Sequence, residues 1–115
     1  MIEVTIYKNK HGNIQGYKVS GHAGYDSHGK DIVCAGVSVL AQTALISLVE
    51  VCNVDEEDLD YFIDDDKGIL EVKVPKDLPL SVVEKADTVF KTFEVGIKAV
   101  VESYSAHVSL RYKEV

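Results

Sequence analysis

Two residues with the chemistry of a nucleophile and a base lie close together in this sequence. His22 is part of the segment Gly-His-Ala-Gly, and Cys34 follows in the run Ile-Val-Cys-Ala-Gly-Val-Ser. An imidazole that reaches a thiol can accept its proton, leave a thiolate, and later protonate a departing amine. The pair therefore predicts acyl-transfer chemistry. Each residue alone has a plainer explanation, since isolated cysteines in apolar runs are usually core residues and loop histidines usually bond to backbone.

Residues next to this pair are candidates for contact with a substrate. A glycine lets the backbone pass close to a bound chain, and a serine one helical turn after the cysteine shares its face of the helix. The serine hydroxyl could donate to a substrate carbonyl, or it could bond back to the Val33 or Cys34 carbonyl of its own helix. The candidates are Gly21, Ala23, Gly24 and Ser38.

Asp31 stands directly before the apolar run that contains Cys34. Aspartate is a favoured N-cap residue, so the position indicates the start of a helix. A cap at this point would place Cys34 on the first helical turn, where backbone N–H groups and the helix dipole favour a thiolate. Asp31 could instead orient His22, but the structural role as a cap is the one we expect.

A metal site is a second way to use the polar residues of this stretch. Imidazole, thiolate and carboxylate groups all bind zinc, and the stretch contains His22, Asp26, His28, Asp31 and Cys34. Their spacing fits none of the familiar zinc patterns. We therefore expect no metal and no other cofactor.

The elements that must position these residues can be read from hydrophobic periodicity. Two alternating strands joined by a turn come first, and a helical stripe runs from about Ile32 to Val51. Two further strands turn at Gly68, and a second long helix opens with a capping box of Ser81 and Glu84 before a last strand. The order ββαββαβ, with mostly polar second faces on the strands, predicts a two-layer α+β domain. We expect a five-stranded mixed sheet with two helices on one face.

Composition limits the class of protein. With 115 residues, 46% of them hydrophobic, residues 1–115 can form a single domain with its own core. A formal net charge of −7 repels phosphate backbones and attracts basic partners. No signal-peptide pattern opens the chain, and its apolar runs are interrupted before they reach the length of a bilayer. We therefore expect a cytoplasmic protein with no membrane and no direct nucleic-acid partner.

The chain resembles the ribosomal-processing cysteine protease family, Prp, in the stretch SGHAGYDSHGKDIVCAGVSVLAQT. Gly-His-Ala, a short glycine-containing loop, and Asp-Ile-Val-Cys-Ala followed by Val-Ser form a combination far more specific than a lone histidine or cysteine. The length, the order of elements and the acidic middle of the chain also agree. The resemblance implies an endopeptidase that removes a short N-terminal extension from ribosomal protein L27 in ribosome assembly, cutting after an aromatic residue.

The same resemblance assigns roles to individual residues. It implies that Cys34 is the nucleophile, that His22 is its general base and acid, and that Ser38 supports the site. It also implies a homodimer and, as partner, the N-terminal extension of a basic large-subunit ribosomal protein. No residue plainly supplies a third member, so we expect a dyad. A mobile loop over residues 21–30 should form the cleft, with the N–H of Cys34 or its neighbours as oxyanion donors.

Two other functions are compatible with parts of the sequence. In the first, the chain is a non-catalytic peptide- or protein-binding module associated with the ribosome, and Cys34 is a core residue. In the second, it is a thiol-dependent enzyme of another type. The lack of a second cysteine near Cys34 argues against dithiol chemistry.

Overall fold

The strands and helices follow one another in the predicted order, ββαββαβ, in a computed structural model that describes all 115 residues. They are β1 (Ile2–Lys8), β2 (Ile14–Ser20), α1 (Ile32–Glu50), β3 (Asp60–Asp64), β4 (Ile69–Lys73), α2 (Leu80–Ser103) and β5 (Val108–Glu114). A single turn of 3₁₀ helix, Glu56–Asp58, precedes β3. The expectation of an α+β fold with two helices is confirmed.

The five strands form one mixed sheet in the order β3-β4-β2-β1-β5. The hairpins β1–β2 and β3–β4 are antiparallel, and β2 pairs antiparallel with β4. Strand β5 is parallel to β1, with Ile2 opposite Val108. Strands β2 and β3 therefore run the same way and are joined through α1, and β4 and β5 likewise through α2. Parallel strands need such crossovers, and both place their helix on the same face of the sheet.

The core lies between the sheet and the two helices. Its centre is Tyr17 of β2, whose side chain is fully buried. The Tyr17 ring stacks on Phe93 of α2 with ring centroids 4.3 Å apart, and its hydroxyl donates to the Ala41 carbonyl of α1 at 2.6 Å. Burial raises the pKa of Tyr17. One side chain therefore joins the sheet to both helices.

Strand β3 differs from its predicted role. A two-layer domain predicts that each strand buries its apolar face under the helices, but the side chains of Tyr61 and Ile63 in β3 are 42% and 47% exposed. The reason is position: β3 is the outermost strand of the sheet, and the cluster of buried apolar residues takes none of its members from this strand. The apolar side chains of β3 therefore remain on the surface.

The start of α2 also differs from the prediction. The helix begins at Leu80 with Pro79 as its N-cap residue, and no side chain caps it. The N–H groups of Val82 and Val83 donate to the Pro79 carbonyl at 2.9 and 3.0 Å. Ser81 therefore lies inside the first turn, and the predicted capping box does not form.

Helix α1 is more apolar than the sequence-based expectation allowed. By length and composition it could cross a bilayer, with a mean hydropathy of 2.2 over an 18-residue window. The Ser, Gln and Thr residues that interrupt the apolar run do not bring its mean hydropathy below that of a spanning helix, and the absence of a membrane partner stays a prediction. In the fold this helix buries one stripe in the core, made of Val33, Val37, Ala41, Ala44 and Leu48.

Helix α1 begins at the carboxylate of Asp31. One oxygen, Oδ1, accepts from the N–H groups of Val33 and Cys34 at 3.0 and 2.9 Å. The other, Oδ2, accepts from the N–H groups of Tyr25 and Asp26 at 2.9 and 3.3 Å. The bond from Cys34 does most to hold the pKa of Asp31 below its ordinary value, and partial burial opposes it. Asp31 thus caps the helix and ties the preceding loop to it.

Two substitutions separate these two tasks of Asp31. Asp31→Asn keeps an acceptor oxygen for the helix cap but turns an amide donor toward the loop N–H groups. Asp31→Ala removes both sets of bonds. We expect Asp31→Ala to lower the Tm at neutral pH by roughly 5 °C, and Asp31→Asn to lower it less.

The pH dependence of this loss follows from the lowered pKa. The stability that charged Asp31 adds is present above its unfolded pKa of about 4 and disappears as the pH falls through the lower folded value. The Tm difference between wild type and Asp31→Ala should therefore shrink from neutral pH to about pH 3. Calorimetry at several pH values measures it, and a constant difference would contradict the bonding described.

Candidate active site

A cleft of about 610 Å³ opens between α1 and the β3–β4 hairpin. Helix α1 lines one side with Cys34, Val37, Ser38, Ala41, Gln42, Leu45 and Ile46. The hairpin lines another side with Ile63, Asp64, Asp65, Gly68, Ile69 and Leu70. The remaining lining residues are Ile2, Val19, Gly21 and His22. The cleft is therefore mostly apolar, with a histidine, a cysteine and two carboxylates on its walls.

The dimensions of the cleft suit an extended peptide. Along α1, the lining residues run from Cys34 to Ile46, which is roughly 18 Å at the rise of an α-helix. An extended chain covers that distance with about five residues. The cleft can therefore hold a short peptide segment alongside the helix.

Cys34 lies on the first turn of α1 and is half-buried. Its Sγ accepts a hydrogen bond from the Ala23 N–H at 3.2 Å. The second cysteine, Cys52, is fully buried, and burial raises the pKa of its thiol. Of the two cysteines, Cys34 alone lines the cleft, and its side chain also packs against the core.

His22 lies at the surface end of the cleft, and its ring is fixed by the β3–β4 turn. Its Nε2 is 3.2 Å from the carbonyl oxygen of Asp66. Because a carbonyl can only accept, this contact places the hydrogen on Nε2 and leaves the lone pair of neutral histidine on Nδ1. No hydrogen bond joins His22 to Cys34 directly. The N–H of Ala23, the next residue after His22, donates to the sulfur of Cys34 instead.

Gly68 allows this contact with the turn. It has a left-handed backbone with φ of 65°. A Cβ at this position would lie 2.5 Å from the Gly21 carbonyl oxygen and 3.0 Å from Cε1 of His22. Only a glycine lets the turn pack so closely against the loop, so the β3–β4 hairpin forms one side of the histidine site.

The other predicted site residues are divided by the structure. Ser38 lines the cleft, and its Oγ accepts from Nε2 of Gln42, one turn later in α1, at 2.7 Å. Gly21 also lines the cleft. Ala23 is 3% exposed, and neither it nor Gly24 is among the lining residues. Of the four residues predicted to contact substrate, only Gly21 and Ser38 therefore line the cleft.

The predicted cleft loop, residues 21–30, enters the cleft only at its start. Beyond Gly24 the loop contacts the end of α2 and the turn that follows it. The Tyr25 ring packs edge-on against the rings of Tyr104 and His107, with centroid distances of 5.5 and 5.3 Å. The second wall of the cleft is the β3–β4 hairpin instead. The expectation that the whole loop forms the cleft is corrected, because Asp31 and these aromatic contacts draw residues 25–30 away from it.

The expected oxyanion donors at the start of α1 are already engaged. The N–H groups of Val33 and Cys34 donate to the Asp31 carboxylate. The N–H of Ala35 donates to the Asp31 carbonyl at 3.0 Å. These three donors are not directed into the cleft in this structure, and their role as oxyanion donors stays a prediction. The donor that is seen at the sulfur belongs to Ala23.

Two contributions to the site had no signal in the sequence. His107 lies far from the histidine–cysteine pair in the sequence, but its Nδ1 is 3.0 Å from the Ala23 carbonyl oxygen. The Asp66 carbonyl, which contacts His22, is a backbone group and leaves no trace in residue type. Both contacts depend on how distant segments meet in the fold.

Comparison with known proteins identifies the family of this chain. The family model of the cysteine protease Prp matches residues 1–109. The ribosomal processing cysteine protease Prp of Staphylococcus aureus is 26% identical over 113 residues, covering 98% of this chain and 100% of the relative. The Prp of Bacillus subtilis is 28% identical over 104 residues, covering 90% of each chain.

Solved structures share the fold. The crystal structure of Staphylococcus aureus Prp in complex with a covalently linked product peptide superposes with a TM-score of 0.83 at 26% identity, covering 98% of this chain and 100% of that one. A protein of Streptococcus mutans gives a TM-score of 0.81 at 25% identity, covering 100% and 96%. The family match extends over nearly the whole length, and one of the two cysteines, Cys34, lines the cleft. The chain belongs to the Prp family of cysteine proteases.

Proposed function

We propose that this cysteine protease removes a short N-terminal extension from a basic large-subunit ribosomal protein, L27, by cutting after an aromatic residue. The observation that carries the proposal is the cleft that Cys34 and His22 line together in a chain of the Prp family. Relatives of this chain are named ribosomal processing proteases. One of them was crystallised with a covalently linked product peptide and also with a substrate peptide.

The proposed reaction uses a His22 and Cys34 dyad. His22 takes the thiol proton at Nδ1, and Sγ of Cys34 attacks the carbonyl carbon of the aromatic residue. When the C–N bond breaks, His22 protonates the leaving amine, and a thioester to Cys34 remains. His22 then takes a proton from water, which attacks the thioester carbonyl. The C–S bond breaks, the extension leaves as a carboxylic acid, and His22 returns its proton to Sγ of Cys34. A hydrogen bond between a catalytic base and its nucleophile often forms only in the substrate complex. The lack of a direct hydrogen bond between His22 and Cys34 in this structure is compatible with that behaviour.

Two backbone contacts support these roles. The Asp66 carbonyl accepts from Nε2 of His22, so Nδ1 is the nitrogen available as a base. The Ala23 N–H points at Sγ of Cys34, where it can stabilise negative charge on the sulfur or on the oxyanion next to it. In this proposal backbone groups assist the dyad, and no third side chain is bonded to His22.

The walls of the cleft fit the proposed substrate. Apolar side chains on both sides, among them Val37, Leu45 and Leu70, suit an aromatic residue of an extended peptide. Asp64 and Asp65 lie on the hairpin wall, and the chain has a formal net charge of −7. Ribosomal proteins are basic, so charge complementarity would speed the encounter. A cytoplasmic location follows from this proposal, since ribosome assembly takes place there.

We expect cleavage of the substrate to require one of the two cysteines. Wild-type protein should cut an N-terminally extended ribosomal-protein peptide once, after its aromatic residue. Cys34→Ala and His22→Ala should each lower kcat/KM by about 10³-fold or more. Cys52→Ala is the matched control, since this buried residue is remote from the cleft and its loss should reduce stability but not activity. Mass spectrometry identifies the products.

The outcome that contradicts this proposal is also specific. If folded Cys34→Ala cuts as fast as wild type, the nucleophile is wrongly assigned. If neither protein cuts but both bind the peptide with equal affinity, the non-catalytic binding module becomes the better account of this chain.

Gly68 offers a second test, because it holds the hairpin against His22. We expect Gly68→Ala to lower kcat/KM by about tenfold or more, since the added methyl group must displace the Gly21 carbonyl or the His22 ring. Gly12→Ala is the matched control: Gly12 has φ of 84° in the β1–β2 turn, and a Cβ there meets nothing within 4 Å. Both variants cost about 1–2 kcal/mol of backbone strain. Equal activity in the two variants would rule out the role given to the hairpin.

We further propose that the protein acts as a homodimer, as the family resemblance implies. The surface we choose is the outer side of α1, where Ile32 and Val39 are more than half exposed and do not line the cleft. Exposed apolar patches of this kind are typical of protein interfaces. Val39→Glu should shift the mass measured by light scattering from dimer to monomer. Leu80→Glu, at an equally exposed apolar residue of α2, should not, and a monomeric wild type would refute the proposal.

A further inference from the structure

Ala23 stands between the histidine and the cysteine and is bonded through both of its backbone groups. Its N–H donates to Sγ of Cys34 at 3.2 Å, and its carbonyl oxygen is 3.0 Å from Nδ1 of His107. Its side chain is almost completely buried. The residue that follows His22 is therefore held between the nucleophile on one side and a histidine of the last turn on the other.

His107 is itself held rigidly in this position. Its N–H donates to the Tyr104 carbonyl, and its carbonyl accepts from the N–H of Ile2, both at 2.9 Å. The turn after α2 and the start of β1 thus fix its backbone. The ring of Tyr25 meets the His107 ring edge-on at 5.3 Å. Since the Ala23 carbonyl can only accept, Nδ1 of His107 carries the hydrogen and acts as the donor.

We propose that His107 is a positioning residue for the active site. Its Nδ1–H holds the Ala23 carbonyl, and this keeps the Ala23 N–H on the sulfur of Cys34 and His22 at its place in the cleft. His107 is not among the residues that line the cleft, so it acts through Ala23 and does not touch the substrate. The catalytic part of this inference rests on the proposed function.

A purely structural explanation is the main competitor. The packing of Tyr25 against Tyr104 and His107 could hold the loop without any hydrogen bond. The two explanations differ in what they require at position 107. A positioning bond needs a donor at the place of Nδ1, whereas packing needs only a side chain of similar size.

Two substitutions make that distinction. His107→Asn places an amide donor close to the position of Nδ1, and His107→Leu keeps the bulk without a donor. We expect His107→Leu to lower kcat on the extended peptide by about 10- to 100-fold, with KM within about twofold of wild type because the cleft lining is intact. His107→Asn should stay within about threefold of wild type in kcat. His11→Leu, in the exposed β1–β2 turn, serves as the matched control and should leave both constants unchanged.

The results that would overturn the inference are clear. If His107→Leu keeps the wild-type kcat, the hydrogen bond from His107 to the Ala23 carbonyl has no role in catalysis. An equal loss of kcat in folded His107→Asn and His107→Leu would lead to the same conclusion. Circular dichroism melting curves establish that each variant is folded. If His107→Leu fails to fold, His107→Gln replaces it, because the longer side chain carries its amide past the Nδ1 position.

A second readout is independent of proteolysis. The rate of Cys34 alkylation by iodoacetamide, with Cys52 buried, reports on the sulfur alone. Loss of the Ala23 donor should slow it by about threefold or more in His107→Leu but not in His107→Asn. If wild type cuts no peptide, the proposed function fails. Slower alkylation in His107→Leu but not in His107→Asn would still support the positioning role of His107. Equal alkylation rates in all three proteins would overturn it.

Discussion

The carboxylate of Asp31 is the interaction on which the site most depends. Two N–H groups of the first turn of α1 and two of the preceding loop converge on its two oxygens. A helix start with free N–H groups is unfavourable, and a capping carboxylate satisfies them. Here the same group also closes the loop that leads from His22 to Cys34. The cap therefore fixes the position of Cys34 on the first turn of α1 and holds residues 25 and 26 of the loop at the start of the helix.

Three parts of the chain then meet around that helix start. Helix α1 presents Cys34, the loop after β2 presents His22, and the turn between β3 and β4 contacts the histidine through the Asp66 carbonyl. Most of these contacts use backbone groups. The fold can bring them together because α1 is the crossover between β2 and β3, so the loop at its start lies next to the hairpin that follows it. The site is thus a consequence of the topology as much as of two reactive side chains.

The sequence alone was sufficient for the order of elements and for the residues that face the cleft at its reactive end. Hydrophobic periodicity marked both helices and the strands, because burial on one face leaves a pattern in the chain. It misjudged β3, since periodicity shows which residues share a face but not whether anything covers that face. It also misplaced the start of α2, where the Pro79 backbone accepts the first N–H groups without any capping side chain.

The parts of the site that the sequence did not reveal are of one physical kind. The contact of His107 with Ala23 joins residues 84 positions apart, and the contact of His22 with Asp66 ends on a carbonyl that every residue type possesses. Gly68 was predicted as a turn residue, but its closeness to the His22 ring appears only in three dimensions. Sequence patterns identify reactive side chains well and the backbone groups that hold them poorly.

The central claim is that Cys34 forms a covalent bond to the substrate. The most direct measurement is the intact mass of the protein after it is mixed with the extended peptide and quenched with acid within milliseconds. The predicted result is a protein heavier by the mass of the N-terminal fragment of the substrate. After digestion of this protein, the added mass should be found on the fragment that contains Cys34. Cleavage that proceeds without any such adduct, or with the adduct on another residue, would contradict it.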